Sequence, residues 1–182
     1  MDLPTGTVSF LFTDVEGSTR LLDALEVRYD ALMKTHSDIL KSSVEQHGGV
    51  VFETEGDAVF AAFASAGDAV AAAGDAQRRL TAHPWPEGGL VRVRMAVHTG
   101  DARQVGDGYF GMTLHVTARV CSAGHGGQVL LSGATQALVP GCEVRDLGEH
   151  RLKDLGRPEH VFQLVHPTCR RASPPCPAHA RQ

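Results

Sequence analysis

Hydrophobic and polar positions along this chain follow two periods, one typical of strands and one typical of helices. Residues 7–13 are an apolar run with β-branched and aromatic side chains, which predicts a buried strand. Apolar residues then recur at helical spacing over residues 21–33 and again over residues 39–44. The Gly17-Ser18-Thr19 segment predicts a turn and the N-cap of the first helix, and the glycine pair 48–49 predicts the end of the second.

The middle of the chain predicts a hairpin followed by a helix. Residues 50–54 and 58–63 are strand-like and flank Glu55-Gly56-Asp57, which predicts two strands joined by a tight tip. Residues 66–80 are rich in alanine, and small side chains of this kind favour a helix that packs closely against a sheet.

The second half of the chain predicts one longer strand, one helix and three short strands. Residues 91–98 alternate between apolar and polar side chains, as in a strand with one solvated face, and residues 100–111 predict a turn-rich connection. Residues 113–121 predict a helix, and the short strands follow at 129–131, 143–145 and 161–165. This order predicts an α+β fold, a ferredoxin-like βαββαβ sandwich with additional strands, whose mainly antiparallel sheet is flanked by helices.

Two aspartates stand where predicted strands end or begin. Asp14 follows the first strand and Asp57 lies at the hairpin tip, with Gly17 after the former and Gly56 before the latter. Placing a carboxylate at the end of a buried strand costs free energy unless the carboxylate binds a cation or accepts a hydrogen bond. Mg²⁺ is commonly held by one or two carboxylates together with substrate phosphates, and backbone amides beside glycines can approach an anion. The pair predicts a metal and polyphosphate site, and the alternative is that both aspartates only cap turns.

Composition narrows the classes of protein that the chain can represent. Its 182 residues, 42% hydrophobic and 21% charged, are ordinary for one globular domain. The formal net charge of −4 argues against a broad nucleic-acid surface, which needs a basic stripe. There is no apolar stretch of membrane-spanning length, and the N-terminus lacks the plan of a signal peptide. We therefore expect no nucleic-acid partner, no membrane association and a cytoplasmic location.

The cysteines and the C-terminal segment carry less information. The four cysteines show no C-x-x-C spacing and no zinc pattern with histidine, which favours reduced thiols. Residues 167–182 are rich in proline and lack apolar periodicity, so they predict a disordered tail or linker after a domain at residues 1–166.

Three ordered segments resemble the signatures of one enzyme family. They are Phe12-Thr-Asp-Val-Glu-Gly-Ser-Thr19, Glu53-Thr-Glu-Gly-Asp57 and Tyr109-Phe-Gly-Met-Thr-Leu-His-Val-Thr-Ala-Arg119. The chain resembles class III nucleotidyl cyclase catalytic domains, most closely the actinobacterial soluble type. The resemblance implies conversion of a purine nucleoside triphosphate into the 3′,5′-cyclic nucleotide and pyrophosphate, by a homodimer whose two chains share each active site.

The resemblance also implies two divalent cations, Mg²⁺ or Mn²⁺, at the paired aspartates. Asp14 and Asp57 match the family's metal ligands, with the Val15 carbonyl as a further ligand. The cations would activate the ribose 3′-hydroxyl and neutralise the triphosphate, as in other two-metal sites. Backbone amides at a helix N-terminus suit phosphate oxygens, and here they belong to Glu16, Gly17, Ser18 and Thr19.

Two residues of the predicted helix 113–121 match catalytic positions of the family. Arg119 matches the arginine that stabilises charge developing on the transferred phosphorus. His115 lies one helical turn earlier on the same face, where family members carry an asparagine that orients the ribose. A histidine still donates a hydrogen bond there, and the alternative is a helix-surface histidine. Lys153, before the last strand, is a candidate phosphate ligand, with a solvated lysine as the alternative.

Base choice in the family depends on two residues that face the purine, which here are Glu53 and Gly108. Adenylyl cyclases carry lysine at the first position and aspartate at the second. Glu53 can accept from guanine N1–H and N2–H₂, whereas adenine N1 is itself an acceptor, so the pair predicts a guanylyl-type site (GTP to cGMP). Tyr109 borders this position as a base-stacking residue or a core tyrosine. Asp107 lies one residue out of register, which leaves adenylyl specificity (ATP to cAMP) open.

Two further classes of function remain as alternatives. A degenerate cyclase domain that serves as a regulatory binding module is suggested by His115 and Glu53, which depart from the adenylyl pattern. Retention of Asp14, Asp57 and Arg119 favours an active enzyme. An RNA-binding ferredoxin-like domain ranks last, because only 5% of the residues are aromatic and the net charge is negative.

Overall fold

The structure is a computed structural model that describes residues 2–165. These residues form one eight-stranded sheet with helices packed against it. Its strands are β1 (Gly6–Val15), β2 (Val50–Glu55), β3 (Ala58–Phe63), β4 (Val93–Val105), β5 (Gly108–Phe110), β6 (Val129–Ser132), β7 (Val144–His150) and β8 (Glu159–Leu164). They follow the order β2-β3-β1-β4-β6-β8-β7, and β5 pairs with β4. The β4–β6 pairing is parallel and the other pairings in this part of the chain are antiparallel. The predicted α+β sandwich is confirmed.

Helices cover both faces of the sheet. They are α1 (Ser18–Leu25), α2 (Tyr29–Gln46), α3 (Ala66–Ala82), α4 (Met112–Ala123) and α5 (Gly133–Leu138), with a 3-10 turn (Glu26–Arg28) between α1 and α2. Leu11 and Val15 of β1 face a core formed with α1, α2 and α3. Phe10 and Phe12 face the opposite core, to which α4 contributes Val120. Because β1 is buried on both faces, its sequence is a continuous apolar run rather than an alternating one.

The predicted hairpin is present, and its tip is formed by two residues. Glu55 pairs with Ala58, and Gly56 has φ 58°, a left-handed conformation that glycine adopts readily. The register of β2 shifts between Val51 and Glu53, which marks a β-bulge at Phe52. The hairpin therefore turns tightly and presents Asp57 at its end.

Two elements differ from the sequence prediction. Residues 100–111, predicted as a connection, contain the end of β4 and all of β5, because Arg103 and Gln104 pair with Phe110 and Tyr109. Helix α5 was not predicted; the Ser132 hydroxyl caps it by accepting from the Thr135 amide.

The start of α1 and the cysteines also refine the prediction. The N-cap of α1 is Gly17, with φ 72° and no side-chain cap, so neither Ser18 nor Thr19 caps the helix. Cys121 is a buried free thiol, as expected, but Cys142 is disulfide-bonded, and the prediction of reduced thiols is wrong for that residue.

The predicted tail at 167–182 lies outside the described residues. Within residues 2–165, none of the helices combines the length and apolar character needed to cross a bilayer.

Two histidines lie in the interior of the fold. His36 on α2 and His98 on β4 are 1% and 9% exposed. Burial lowers the pKa of each imidazole to about 4, from an ordinary value of 6.5, although the Asp57 carboxylate acts in the opposite direction on His36. Both side chains are therefore neutral in the folded protein near pH 7.

The free energy of unfolding should fall as the pH drops from about 6.5 to about 4. In this window the unfolded chain protonates these histidines while the folded chain does not, which costs about 3 kcal/mol per histidine. Urea unfolding at pH 7 and at pH 4.5 measures the loss, and His98→Asn should reduce it because asparagine does not titrate. The exposed His150→Asn serves as control. Equal losses in the wild type and His98→Asn would contradict the account.

Candidate active site

The structure brings Asp14 and Asp57 to the same end of the sheet. β1 pairs with β3 from Ser9 to Thr13, which places the hairpin tip beside the last residues of β1. The Val15 amide, next to Asp14, donates to Asp57 Oδ2 at 2.9 Å. Two residues earlier on β1, Thr13 Oγ1 accepts from the Val59 amide at 3.1 Å, which also joins β1 to β3. Asp57 thus lies against the backbone that directly follows Asp14, although the two residues are 43 positions apart in sequence.

Arg94 is a residue of this site that the sequence analysis missed. In the β1–β4 register Arg94 stands opposite Asp14, and its Nε donates to Asp14 Oδ2 at 2.5 Å while Nη2 contacts the same oxygen. Both side chains are about one-third exposed. The alternation of apolar and polar residues over 91–98 indicated that the Arg94 side chain lies on the polar face of a strand. It could not indicate that Asp14 is its partner, because that depends on the register of β1 against β4.

Helix α1 begins four residues after Asp14, and its first backbone amides have no hydrogen-bond partner among residues 2–165. The first amides of a helix have no partner within the helix, and here they belong to Ser18 and Thr19, after the Gly17 N-cap. The Glu16 amide instead donates to the Arg92 carbonyl at 2.8 Å. Of the four predicted phosphate-binding amides, that of Glu16 is therefore already engaged within the fold.

Glu53, one of the two predicted base-facing residues, lies on the face of the sheet that α4 covers. Phe60 pairs with Phe12 and also with Glu53, so these three side chains share the face on which Asp14 lies two residues further along β1. Glu53 is exposed, on the outer strand β2. Gly108, at the start of β5, has no heavy atom within 4 Å of the place where a Cβ would lie.

Tyr109 is packed into an aromatic layer on the same face. Its ring lies 4.9 Å from that of Phe10 and 5.1 Å from that of Phe52, both edge to face. Its hydroxyl donates to the Pro4 carbonyl at 2.7 Å, and burial raises the pKa of the phenol. These contacts favour the alternative of a core tyrosine over a base-stacking residue.

Helix α4 carries His115 and Arg119, and neither contacts the aspartates. His115 is exposed, whereas Arg119 is partly exposed and forms an ion pair with Asp154, Nη2 to Oδ2 at 2.6 Å. Lys153, beside Asp154, is exposed. In residues 2–165 no hydrogen bond or ion pair joins His115, Arg119 or Lys153 to Asp14 or Asp57. One chain therefore presents two separate sets of candidate residues.

The donor set at Asp14 and Asp57 fits a hard divalent cation. Carboxylate and carbonyl oxygens are the ligands that Mg²⁺ prefers, and it usually keeps water or substrate oxygens as well. Over the described residues there is no group of three His, Cys, Asp or Glu side chains arranged to hold a metal. A cation at the aspartate pair would complete its shell with oxygens from water or from a phosphate.

Comparison with known proteins defines the class to which this fold and site belong. The family described as the adenylate and guanylate cyclase catalytic domain matches residues 2–166, so the chain belongs to that family. The class III cyclase resemblance is confirmed.

The particular relatives are a mycobacterial protein and two eukaryotic cyclases. An uncharacterised protein of Mycobacterium tuberculosis is 40% identical over 179 residues, covering 94% of this chain and 60% of the relative. An adenylate cyclase of Lachancea kluyveri is 32% identical over 154 residues, 71% of this chain and 8% of the yeast protein. A monomeric adenylate cyclase structure from Trypanosoma brucei has a TM-score of 0.78 at 27% identity, covering 90% of this chain and 91% of that chain. This chain thus spans about three-fifths of its mycobacterial relative.

Proposed function

We propose that this chain is the catalytic domain of an active nucleotidyl cyclase, which converts a purine nucleoside triphosphate into its 3′,5′-cyclic nucleotide and pyrophosphate. The observation that carries the proposal is the hydrogen bond from the Val15 amide to Asp57, which places Asp57 beside the backbone that follows Asp14, with the first amides of α1 a few residues further on. A carboxylate pair for cations beside backbone donors for phosphate suits a metal-bound triphosphate. Membership of the cyclase family supplies the reaction.

In this proposal, some residues of the site bind the cations and others bind the phosphates. Asp14 and Asp57 would hold two divalent cations, Mg²⁺ or Mn²⁺, with the Val15 carbonyl as a further ligand. When bound, such cations activate the ribose 3′-hydroxyl and neutralise charge on the triphosphate. The amides of Ser18 and Thr19 point along the positive end of α1 and would hold phosphate oxygens. Arg94 supplies further positive charge beside Asp14.

The remaining catalytic residues come, in this proposal, from a second copy of the chain. Arg119 would stabilise charge on the transferred phosphorus, His115 would orient the ribose, and Lys153 would bind phosphate. All three lie apart from Asp14 and Asp57 within the described part of one chain. An exposed apolar patch on the β4–β5 hairpin and the start of α4 offers a surface for the second copy; it comprises Val105, Phe110 and Met112, which are 54%, 63% and 67% exposed.

For the base we propose guanine, with adenine as the alternative. Glu53 lies on the same sheet face as Asp14 and is exposed, so its carboxylate is available to accept two donors from a purine edge. At Gly108 the space where a Cβ would lie is open. Asp107, at the tip of the β4–β5 hairpin, is exposed, and a shift of this loop would offer an acceptor to adenine N6.

Product analysis tests the proposed reaction. The purified chain is incubated with GTP and, in parallel, with ATP, each with Mn²⁺ or Mg²⁺, and cyclic nucleotide and pyrophosphate are quantified. We expect cyclic product in the wild type and none in Asp57→Ala or Asp14→Ala, because neither variant can hold the cation pair. Circular dichroism should show the variants folded. Turnover above a few per cent of wild type in folded Asp57→Ala would refute the metal assignment.

Mixing two inactive variants tests the shared site. Asp57→Ala lacks a proposed metal ligand, and Arg119→Ala lacks the arginine proposed to stabilise the transition state. If each site takes these residues from different chains, a heterodimer of the two variants contains one intact site. We expect activity to reappear on mixing. Exchange of subunits is verified with differently tagged chains, and exchange without any recovery of activity would rule out the shared-site arrangement.

The base preference is tested by kcat/KM for GTP and ATP. A mispaired, desolvated carboxylate costs roughly 1–3 kcal/mol, so Glu53 should favour GTP by about tenfold to a hundredfold. Glu53→Lys combined with Gly108→Asp provides a donor for adenine N1 and an acceptor for N6, and should move the preference towards ATP. A wild type that prefers ATP would show that Glu53 does not select the base, while the cyclase assignment would stand.

A further inference from the structure

Arg119 is held by a contact that the proposed reaction does not explain. Its Nη2 lies 2.6 Å from Asp154 Oδ2, although 36% of the arginine side chain and 60% of the aspartate side chain are exposed. The Asp154 carboxylate would repel a triphosphate that approaches Arg119 and Lys153. Its presence there therefore calls for an explanation. The contact uses one guanidinium nitrogen, and a guanidinium has five N–H donors, so the others stay available.

The backbone at Asp154 has a left-handed conformation, which is uncommon for a residue other than glycine. Leu152 to Leu155 form a turn in which the Leu155 amide donates to the Leu152 carbonyl at 3.3 Å. Asp154 is the third residue of this turn and has φ 62°, one of two positive values among the non-glycine residues of the described range. Turns with positive φ at this position favour glycine or asparagine. Strained residues of this kind cluster at functional sites, which motivates a functional hypothesis for Asp154.

Both partners of the ion pair are anchored in the same apolar core. Val120, which follows Arg119 on α4, is fully buried in the core that also contains Phe10 and Phe12. Leu152, the first residue of the turn, packs against that core. The separation between the arginine and the turn is therefore set by packing, and Asp154 needs no movement of the backbone to reach Arg119.

We propose that Asp154 is a positioning residue, which holds the Arg119 side chain in one orientation while its remaining N–H groups stay available for a phosphate bound by the partner chain. This inference rests on the proposed function. A long, partly exposed arginine samples many rotamers, and a group that acts on a substrate held by another chain gains most from being ordered beforehand. The opposite model makes Asp154 a competitor that the triphosphate must displace, and the two models differ in their kinetics.

The test is the steady-state kinetics of Asp154→Asn. This variant removes the charge but keeps the shape, and asparagine tolerates the left-handed backbone. We expect kcat to fall about tenfold with KM within twofold of wild type, because a misplaced catalytic group mainly affects the transition state. Asp38→Asn is the matched control, since Asp38 pairs with Lys34 at the same 2.6 Å and is 61% exposed. It should leave both constants unchanged.

A double-mutant comparison assigns the effect to Arg119. In an Arg119→Lys background, Asp154→Asn should lower kcat much less than in the wild type, because the oriented guanidinium is already absent. Asp154→Gly provides a second variant that relieves the backbone and removes the carboxylate, and we expect the same fall in kcat even if Asp154→Asn fails to fold. An unchanged kcat, or a lower KM with kcat kept, would overturn the proposal in favour of no role or of competition.

A structural readout separates this inference from the proposed function. Nuclear magnetic relaxation of the Arg119 side-chain Nε–H reports its order without any turnover. The order parameter should fall in Asp154→Asn but not in Asp38→Asn, and an unchanged value would contradict positioning. If the wild type made no cyclic nucleotide while the order parameter behaved as expected, the proposed function would fail and the ion-pair assignment would survive.

Discussion

The hydrogen bond from the Val15 amide to the Asp57 carboxylate holds together the two strand ends on which the candidate site depends. Asp57 lies at a two-residue hairpin tip, and this bond and the Thr13–Val59 contact fix the tip against β1. A hydrogen bond to an ionised acceptor generally contributes about 1.5–3 kcal/mol. Strand pairing fixes the backbone of the tip, and this bond fixes the orientation of the Asp57 carboxylate on it. The relative position of the two aspartates is thus a property of the sheet rather than of a flexible loop.

An aromatic layer on the face of the sheet that carries Asp14 positions the other candidate residues. Its rings belong to Phe10, Phe12, Phe52, Phe60 and Tyr109, and neighbouring centroids lie 4.4 to 6.5 Å apart. The bulge at Phe52 allows that ring to enter the layer while the next residue, Glu53, stays exposed on the same face. The core that contains this layer also packs α4 and Leu152, so it fixes where Arg119 and Asp154 stand.

Local sequence pattern and spacing predicted the elements that carry the aspartates. Several other features of the candidate site depend on how distant strands and helices align, which the sequence pattern does not show. The strand at β1, the hairpin and the placement of Asp14 and Asp57 at their ends follow from apolar runs and from glycines at turns. The Asp14–Arg94 pair could not be predicted in this way, because it depends on the alignment of two strands that are 80 residues apart. The engaged Glu16 amide likewise depends on tertiary pairing, whereas the β4–β5 hairpin and the Ser132 cap of α5 are local features that the sequence analysis missed. The Arg119–Asp154 ion pair requires a helix and a distant turn to pack on one core.

The central claim is that Asp14 and Asp57 together hold the two divalent cations, and Mn²⁺ binding measures this directly. Electron paramagnetic resonance titration of Mn²⁺ is carried out on the wild type, Asp14→Asn, Asp57→Asn and the double variant, with Asp38→Asn as control. The account predicts that each single site variant weakens binding at least about tenfold and that the double variant is little weaker than either, because one site has already been lost. Binding by Asp57→Asn that equals the wild type, or full additivity in the double variant, would contradict a shared site.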